Sequence, residues 1–160
     1  MIRPVRLYPD PVLMRPCAPV AARDAERIVS DLVDTMRAHP GCVGLAAPQI
    51  GEPARVAVVD CGGHPACEAG GGLVVLVNPR IVEGVRRELG REGCQSIPWY
   101  TVDVRRFRRV VVETEPGHLA WSAGIEARAI QHELDHLDGV LILDRAAGAR
   151  AIHRRQARED

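Results

Sequence analysis

A chain of 160 residues and 17.4 kDa, 46% apolar and 26% charged, falls in the range of a single globular domain spanning 1–160 and outside the compositions of disordered or fibrous chains. Basic and acidic residues balance at 21 each, with arginine as the only basic type besides histidine, and zero net charge leaves no electrostatic footprint for direct nucleic-acid binding or an anionic membrane surface. No stretch approaches the roughly 20 apolar residues of a membrane helix, and Met1-Ile2-Arg3-Pro4-Val5-Arg6 carries neither a signal-peptide core nor a transit pattern, so a cytoplasmic, bacterial address without membrane association is expected.

In chain order, Tyr8-Pro9-Asp10-Pro11 predicts a turn. From Ala22 to Ala38, Ile28, Val29, Leu32, Val33 and Met36 recur at three and four residues, which predicts an amphipathic helix stopped by His39-Pro40-Gly41. The β-branched runs 54–60 and 73–77 predict paired strands joined by a glycine-rich loop that includes Gly70-Gly71-Gly72. Further strands are expected over 80–88 and 102–113, then a turn at Glu115-Pro116-Gly117. Ser122 to Leu137 reads as a helix, Leu141-Ile142-Leu143 as a short strand or helix tail, and Ala146 to Arg158 as a polar, arginine-rich helix. Helices and strands without βαβ alternation define an α+β fold.

The five cysteines are odd in number and irregular in spacing, which argues against a disulfide framework. Cys17 and Cys42 read as small buried groups or partly exposed thiols. Cys61 and Cys67 flank Gly62-Gly63-His64-Pro65-Ala66. A flexible hairpin loop is the preferred reading there over a second metal site, because structural zinc sites use paired ligands at short fixed spacings.

The strongest chemical signal is His132-Glu133-Leu134-Asp135-His136. On a helix, residues four apart share a face, so two imidazoles can hold one metal, and Glu133 can stand beside it as a general base for water. A charged surface helix would carry the same pattern, but Ile130 and Leu137 flank it and turn the segment toward a core. Zinc proteases with this motif take a third ligand downstream. Here the position after Gly139 that should be histidine is Ile142, and the only later glutamate is Glu159. Upstream, Cys94 in Arg91-Glu92-Gly93-Cys94-Gln95-Ser96 offers a thiolate; with two imidazoles it would leave one position of a tetrahedral metal open, the catalytic arrangement. Gly44-Leu45-Ala46-Ala47-Pro48-Gln49-Ile50-Gly51 reads as a small-residue turn leading to a strand, where backbone can approach a ligand closely and Gln49 can aim an amide at a developing oxyanion.

The three motifs in this order, with Asp10-Pro11-Val12-Leu13, Asn78-Pro79 and Asp138-Gly139, resemble the peptide deformylase family over nearly the whole chain. The resemblance implies antiparallel sheets packed around a central helix that carries the HExxH motif. It implies removal of the formyl group from the N-terminal formylmethionine of nascent chains, with release of formate and transient contact with the ribosome. Cys94, His132 and His136 then match the ligands of one divalent metal, Fe2+ in cells with Zn2+, Ni2+ or Co2+ as substitutes. Glu133 matches the general acid/base, Gln49 and the backbone N–H of Gln95 the oxyanion donors, and Gly44 the glycine whose backbone pairs with substrate. Glu92 and Arg106 match a supporting ion pair. Departures from the family pattern fall at Cys42, Gln95 and Thr101, all expected in the substrate cleft, and the C-terminal ribosome-docking helix of some members is expected to be short. The competing functions are a metalloprotease, a hydrolase for a small N-formylated metabolite, and a non-catalytic binding relative.

Overall fold

Helix α1 (Ala22–Ala38) buries Ala25, Ile28, Leu32, Thr35 and Met36, the stripe its three-and-four spacing dictates. Asp24 in the first turn and Arg37 in the last complement the helix dipole. It ends at His39, whose Nδ1 lies 2.8 Å from the Thr35 carbonyl oxygen. The computed structural model describes residues 1–68, 71–115 and 117–155. Ahead of α1, the expected turn lies at Tyr8-Pro9, and a 3₁₀ turn, Pro11–Met14, follows it. The Asp10 carboxylate caps that turn by accepting from the Val12 N–H at 3.0 Å.

Strands β1 (Gly44–Ala46), β2 (Val56–Val59) and β3 (Val74–Val77) form an antiparallel sheet in the order β1-β2-β3, with Gly44 opposite Val59 and Val58 opposite Val75. The expected hairpin is present, and Gly44-Leu45-Ala46, read as a turn leading to a strand, is itself the edge strand. All four β2 residues are buried because the sheet is covered on both faces. Val56 and Val58 pack with Ile28, Leu32 and Met36 of α1, while Ala57 and Val59 pack with Ile130, Leu134 and Leu137 of α2 (Gly124–Leu137).

The second sheet is built on a long hairpin, β4 (Arg80–Cys94) and β5 (Ile97–Thr114), turning at Gln95-Ser96. Both strands outrun the sequence expectation: Leu89 pairs with Arg105 and Arg91 with Asp103, so backbone pairing continues where side-chain alternation fades. Two further strands line the other edge of β5. Strand β6 (His118–Ala123) pairs with 109–114 and β7 (Ile152–Arg154) with 100–102. Strand β6 left no signal in the sequence because its apolar residues, Leu119 and Trp121, face solvent. Helix α2 starts at Gly124 rather than Ser122, since Ser122 and Ala123 are paired with Val110 and Arg109.

The expected helix over 146–158 does not form within the described residues. The Asp103 carbonyl accepts from Ala147 and the Asp103 N–H donates to Ala151, and these bonds lead the chain into β7 along β5; residues 156–158 lie outside the described range. Leu141-Ile142-Leu143 leads into a 3₁₀ turn, Ile142–Arg145, whose Ile142 packs with Leu13, Cys94, Ile97, Val102 and Val104. Glu115 and Gly117 are in turn conformation and Gly71 and Gly72 have positive φ; Pro116 and Gly70 of those expected turns lie outside the described residues.

Helix α2 packs against β1, β2, β5 and β6, so the helix bearing the HExxH segment is central to an α+β fold. Among the described residues, no helix is long and apolar enough to cross a membrane. Gly139 ends the α2 region at φ +74°, and a Cβ there would lie 2.9 Å from the Met14 and Arg15 backbone, so both conformation and contact require glycine.

Leu32 is fully buried between α1 and the first sheet. Leu32→Ala is expected to lower stability by about 2–5 kcal/mol through lost burial and a residual cavity. Trp121→Ala, at a residue 75% exposed, should change it by no more than about 0.5 kcal/mol. Urea denaturation midpoints of the two variants check the contrast.

Candidate metal centre

On α2, His132 and His136 stand one turn apart with ring centroids 5.0 Å apart, facing the end of β4. There Cys94, 5% exposed, places its Sγ 3.3 Å from His136 Nε2. One donor atom from each of Cys94, His132 and His136 lies within 4.8 Å of the others. A soft thiolate with two imidazoles fits a divalent transition metal such as zinc or ferrous iron. Burial opposes ionisation of the Cys94 thiol, yet the His136 and His132 rings hold its pKa well below the ordinary value. Burial likewise opposes charge on His132, but Cys94 and Glu92 raise its pKa well above that of a free imidazole. The cluster is therefore arranged to carry a thiolate beside positive charge, the electrostatic condition a bound cation satisfies.

Behind His132 lies a buried ionic network. Glu92 Oε1 accepts from His132 Nδ1 at 2.9 Å, which directs the other ring nitrogen away from Glu92. Arg106 grips both Glu92 oxygens at 3.0 Å, and Arg128 donates to Oε2 at 2.8 Å. Burial alone would raise the Glu92 pKa; the His132 and Arg106 bonds hold it at about 2. Arg106 continues to Asp135, which Arg145 also contacts at 2.9 and 3.1 Å. The expected Glu92–Arg106 pair is present. Arg128 and Asp135, not singled out from the sequence, complete it; the only hint was their helical spacing from His132, four before and three after.

Glu133, 4% exposed, has an Oε2 without a hydrogen-bond partner among the described residues. Burial pushes its pKa up to about 6, against the pull of the two histidines. A Cβ on Gly44 would sit 2.7 Å from Glu133 Oε1, so glycine at the β1 edge makes room for this carboxylate. Gln49, 2% exposed in the 3₁₀ turn Ala47–Ile50, has its amide fixed: Oε1 accepts from the Ala46 N–H at 3.0 Å, and Nε2 donates to Ser96 Oγ at 3.1 Å and faces Cys94 Sγ at 3.7 Å.

These residues open into a cleft of about 200 Å3 whose walls include Gly44, Gln49, Cys94, Gln95, His132 and Glu133. Of the three departures, Cys42 and Gln95 line the cleft. The Cys42 S–H donates to the Gly44 carbonyl at 3.1 Å, and burial pushes that thiol up to about 12. Thr101 is different: it sits in β5 opposite His153, outside the cleft walls. Arg155, which follows β7, and His64 also line the cleft. Neither was assigned to the cleft from the sequence, since the segment of Arg155 reads as helix and that of His64 as a flexible hairpin loop, preferred there over a second metal site. The protease reading finds no third ligand here: Ile142 is packed in the core, and Glu159 lies outside the described residues.

A clustered Cys/His/His donor set beside a buried carboxylate whose Oε2 has no partner among the described residues, opening into a cleft, defines a metal-dependent hydrolase. Residues 2–151 match the sequence family Polypeptide deformylase. The chain is 41% identical over 152 residues to the peptide deformylase of Dictyoglomus thermophilum, covering 91% of this chain and 94% of that one. It is 44% identical over 142 residues to that of Heliobacterium modesticaldum, covering 85% and 88%. Among solved structures, the Thermotoga maritima peptide deformylase superposes with a TM-score of 0.79 at 35% identity, covering 92% of this chain and 99% of that one. A Met-Ala-Ser-bound class I type b peptide deformylase from Acinetobacter baumannii gives 0.76 at 31%, covering 91% and 98%. The chain belongs to the polypeptide deformylase family, metal-dependent hydrolases that remove the N-formyl group from new polypeptides, and it is an enzyme of that kind.

Cys94→Ala should strip the metal, because it removes the anionic donor. Glu92→Gln should retain the ligands yet weaken metal binding by about 10–100-fold, as loss of a ligand-orienting partner does. Competition with a chromophoric chelator measures both.

Proposed function

We propose that the chain, acting as one metallohydrolase domain over 1–160, deformylates N-formylmethionyl peptides and nascent chains through Cys94, His132 and His136 as metal ligands and Glu133 as general acid/base. The observation that carries this reading is the buried, partnerless Glu133 Oε2 beside the three clustered donors. We assign ferrous iron as the native metal, with zinc, nickel or cobalt as substitutes; the thiolate–imidazole donor set supports this range. Held there, such a metal would act as a Lewis acid and bring the pKa of water down toward ~7.

The chain's own residues then divide the work. Glu133 takes the proton of the attacking water as its oxygen bonds to the formyl carbon. The carbon–nitrogen bond breaks, formate leaves, and Glu133 returns the proton to the methionyl amine. Burial raises the Glu133 pKa above the ordinary carboxylate value, which favours a carboxylate that takes up and returns a proton. The Gln49 amide and the Gln95 backbone N–H stabilise the formyl oxygen as it gains charge, each worth ~3 kcal/mol by analogy with other oxyanion donors. Gly44 lies on the free edge of β1, where an extended peptide can add as a further strand. The A. baumannii relative was solved with Met-Ala-Ser, which supports a methionyl peptide as the product class here. A cytoplasmic enzyme meeting its substrate transiently at the ribosome, without binding nucleic acid directly, is consistent with the zero net charge.

The test is anaerobic purification with metal analysis, followed by formate release from formyl-Met-Ala-Ser. Glu133→Gln should keep the metal and lose roughly 10²–10⁴-fold in turnover; a variant within threefold of the parent would remove Glu133 from the reaction. The iron form should lose activity in air as metal and thiolate oxidise, whereas equal lifetimes with and without oxygen would point to zinc or nickel. If activity on a small formylated metabolite exceeded that on the peptide, the substrate assignment would fall.

Gln95 contributes its backbone to the oxyanion and its side chain to the cleft wall. Gln95→Leu should therefore leave kcat and metal content in place. It should shift KM for peptides with an apolar second residue by about fivefold, the equivalent of ~40 Å2 of apolar burial at ~25 cal/mol per Å2. Steady-state kinetics on formyl-Met peptides with an apolar and a polar second residue check the split.

A further inference from the structure

A second pair of reactive side chains is held in contact away from the metal centre. Cys61 follows β2 after one residue, Asp60, and Cys67 lies six residues further on. Their Sγ atoms are 2.7 Å apart, between the spacing of separate thiols and the ~2.05 Å of a covalent disulfide. Two consecutive turns bring them together: the His64 N–H donates to the Cys61 carbonyl at 2.8 Å, and the Cys67 N–H donates to the His64 carbonyl at 3.0 Å. The base of the loop is closed as well, since a Cβ on Gly71 would fall 2.3 Å from the Gly62 Cα. Cys61 is 1% exposed and Cys67 is half-buried. Between them His64 reaches the wall of the substrate cleft. A metal does not suit this pair. With metal–sulfur bonds of ~2.3 Å, tetrahedral thiolates stand about 3.8 Å apart, and His64 Nδ1 already accepts from the Ala66 N–H at 3.0 Å.

We propose that Cys61 and Cys67 are a redox-active dithiol that low-molecular-weight disulfides close into an intramolecular disulfide, fixing the His64 loop at the cleft wall. Cys67, the accessible partner, attacks as thiolate on one sulfur of the small disulfide; a mixed disulfide forms and the first small thiolate leaves with the electron pair. Cys61 then gives up its proton and attacks the Cys67 sulfur, expelling the second small thiolate. The protein loses two electrons and two protons, and one small disulfide becomes two thiols. Burial and the adjacent Cys67 sulfur push the Cys61 thiol up, which disfavours it as the first attacking sulfur and leaves that step to the more accessible Cys67. A short loop with one accessible sulfur belongs with labile, regulatory disulfides rather than structural ones.

The test uses metal-loaded enzyme equilibrated anaerobically with rising ratios of glutathione disulfide to glutathione, then alkylated and digested with trypsin. Cleavage after Arg55 and Arg80 gives one peptide, 56–80, containing both cysteines and no others. Its alkyl adducts should fall from two to none, its mass should drop by two hydrogens relative to the unalkylated dithiol peptide, and dithiothreitol should reverse both changes. Cys61→Ser should stop at a glutathione adduct on Cys67, and Cys67→Ser should leave Cys61 free for alkylation. In oxidised enzyme, KM for formyl-Met-Ala-Ser should shift at least twofold with metal content unchanged, and Cys61→Ser should show no such shift. Full alkylation of the wild-type peptide after oxidation, or glutathione retained on Cys67, would overturn the dithiol. A closed disulfide with unchanged KM would overturn its hold on the cleft. Peptide mapping does not depend on deformylation, so failure there is distinct from failure of the roles assigned at the metal centre.

Discussion

Three separate elements meet on one buried carboxylate. Glu92 of β4 accepts from His132 of α2, from Arg106 of β5 and from Arg128 of α2, and the site's geometry depends on that convergence. A buried ion is expensive unless its partners are well placed, and replacing such a network by apolar groups often costs nothing in stability. Its value here is positional. With Arg106 and Arg128 holding the carboxylate, Glu92 is fixed as an acceptor, and His132 is fixed in the tautomer and orientation that free its second nitrogen. The network continues through Arg106 to Asp135 and Arg145, so the same carboxylate registers the helix against the sheet and against the 3₁₀ turn that follows.

The second constraint is proximity at the other wall. Strand β1 is an edge strand, and its first residue, Gly44, lies against Glu133 with no room for a methyl group. Packing that close helps bury the carboxylate, and burial is what pushes the Glu133 pKa up. Gln49, three residues beyond the end of β1, accepts from the Ala46 N–H, which ties the amide to the edge strand. The same short segment thus supplies the space for the proposed base, the proposed oxyanion donor and the edge for an extended peptide.

The sequence made legible those parts of the molecule whose signal is local. Helix α1 and the β2–β3 hairpin follow from hydrophobic period, and His132, Glu133 and His136 from helical spacing. Cys94 was legible as a donor, and its motif carried the resemblance. What stayed hidden rests on pairing rather than pattern. Strand β6 turns Leu119 and Trp121 to solvent, and β7 alternates among arginines; both exist because β5 offers a free edge. Within the described residues, the helix expected over 146–158 gives way to β7 for that reason, and with it went any sign that Arg155 reaches the cleft. Thr101 was assigned to the cleft from motif position alone, whereas β7 occupies its edge.

The pairing of strand and helix explains why this small donor set closes so tightly. Glu92 and Cys94 are two apart on β4, both buried with Gly93 exposed between them, so they project from one face at a spacing of about 6.6–6.8 Å. His132 and His136 are four apart on α2, a rise of about 6 Å along the helix. The two steps nearly match. A strand and a helix laid side by side can therefore pair Glu92 with His132 and Cys94 with His136, and both contacts are present at 2.9 and 3.3 Å. The register shift between Glu92 and Cys94 in the β4–β5 ladder falls at this point and lets the strand end turn into the Gln95-Ser96 loop without losing the second contact. An Asp at 92 would be one methylene too short to hold His132 and Arg106 together, and a Cys displaced by one residue would point away from α2. The Glu-Gly-Cys spacing is thus a geometric consequence of the His-x-x-x-His spacing, with glycine at the outward position between the two inward side chains.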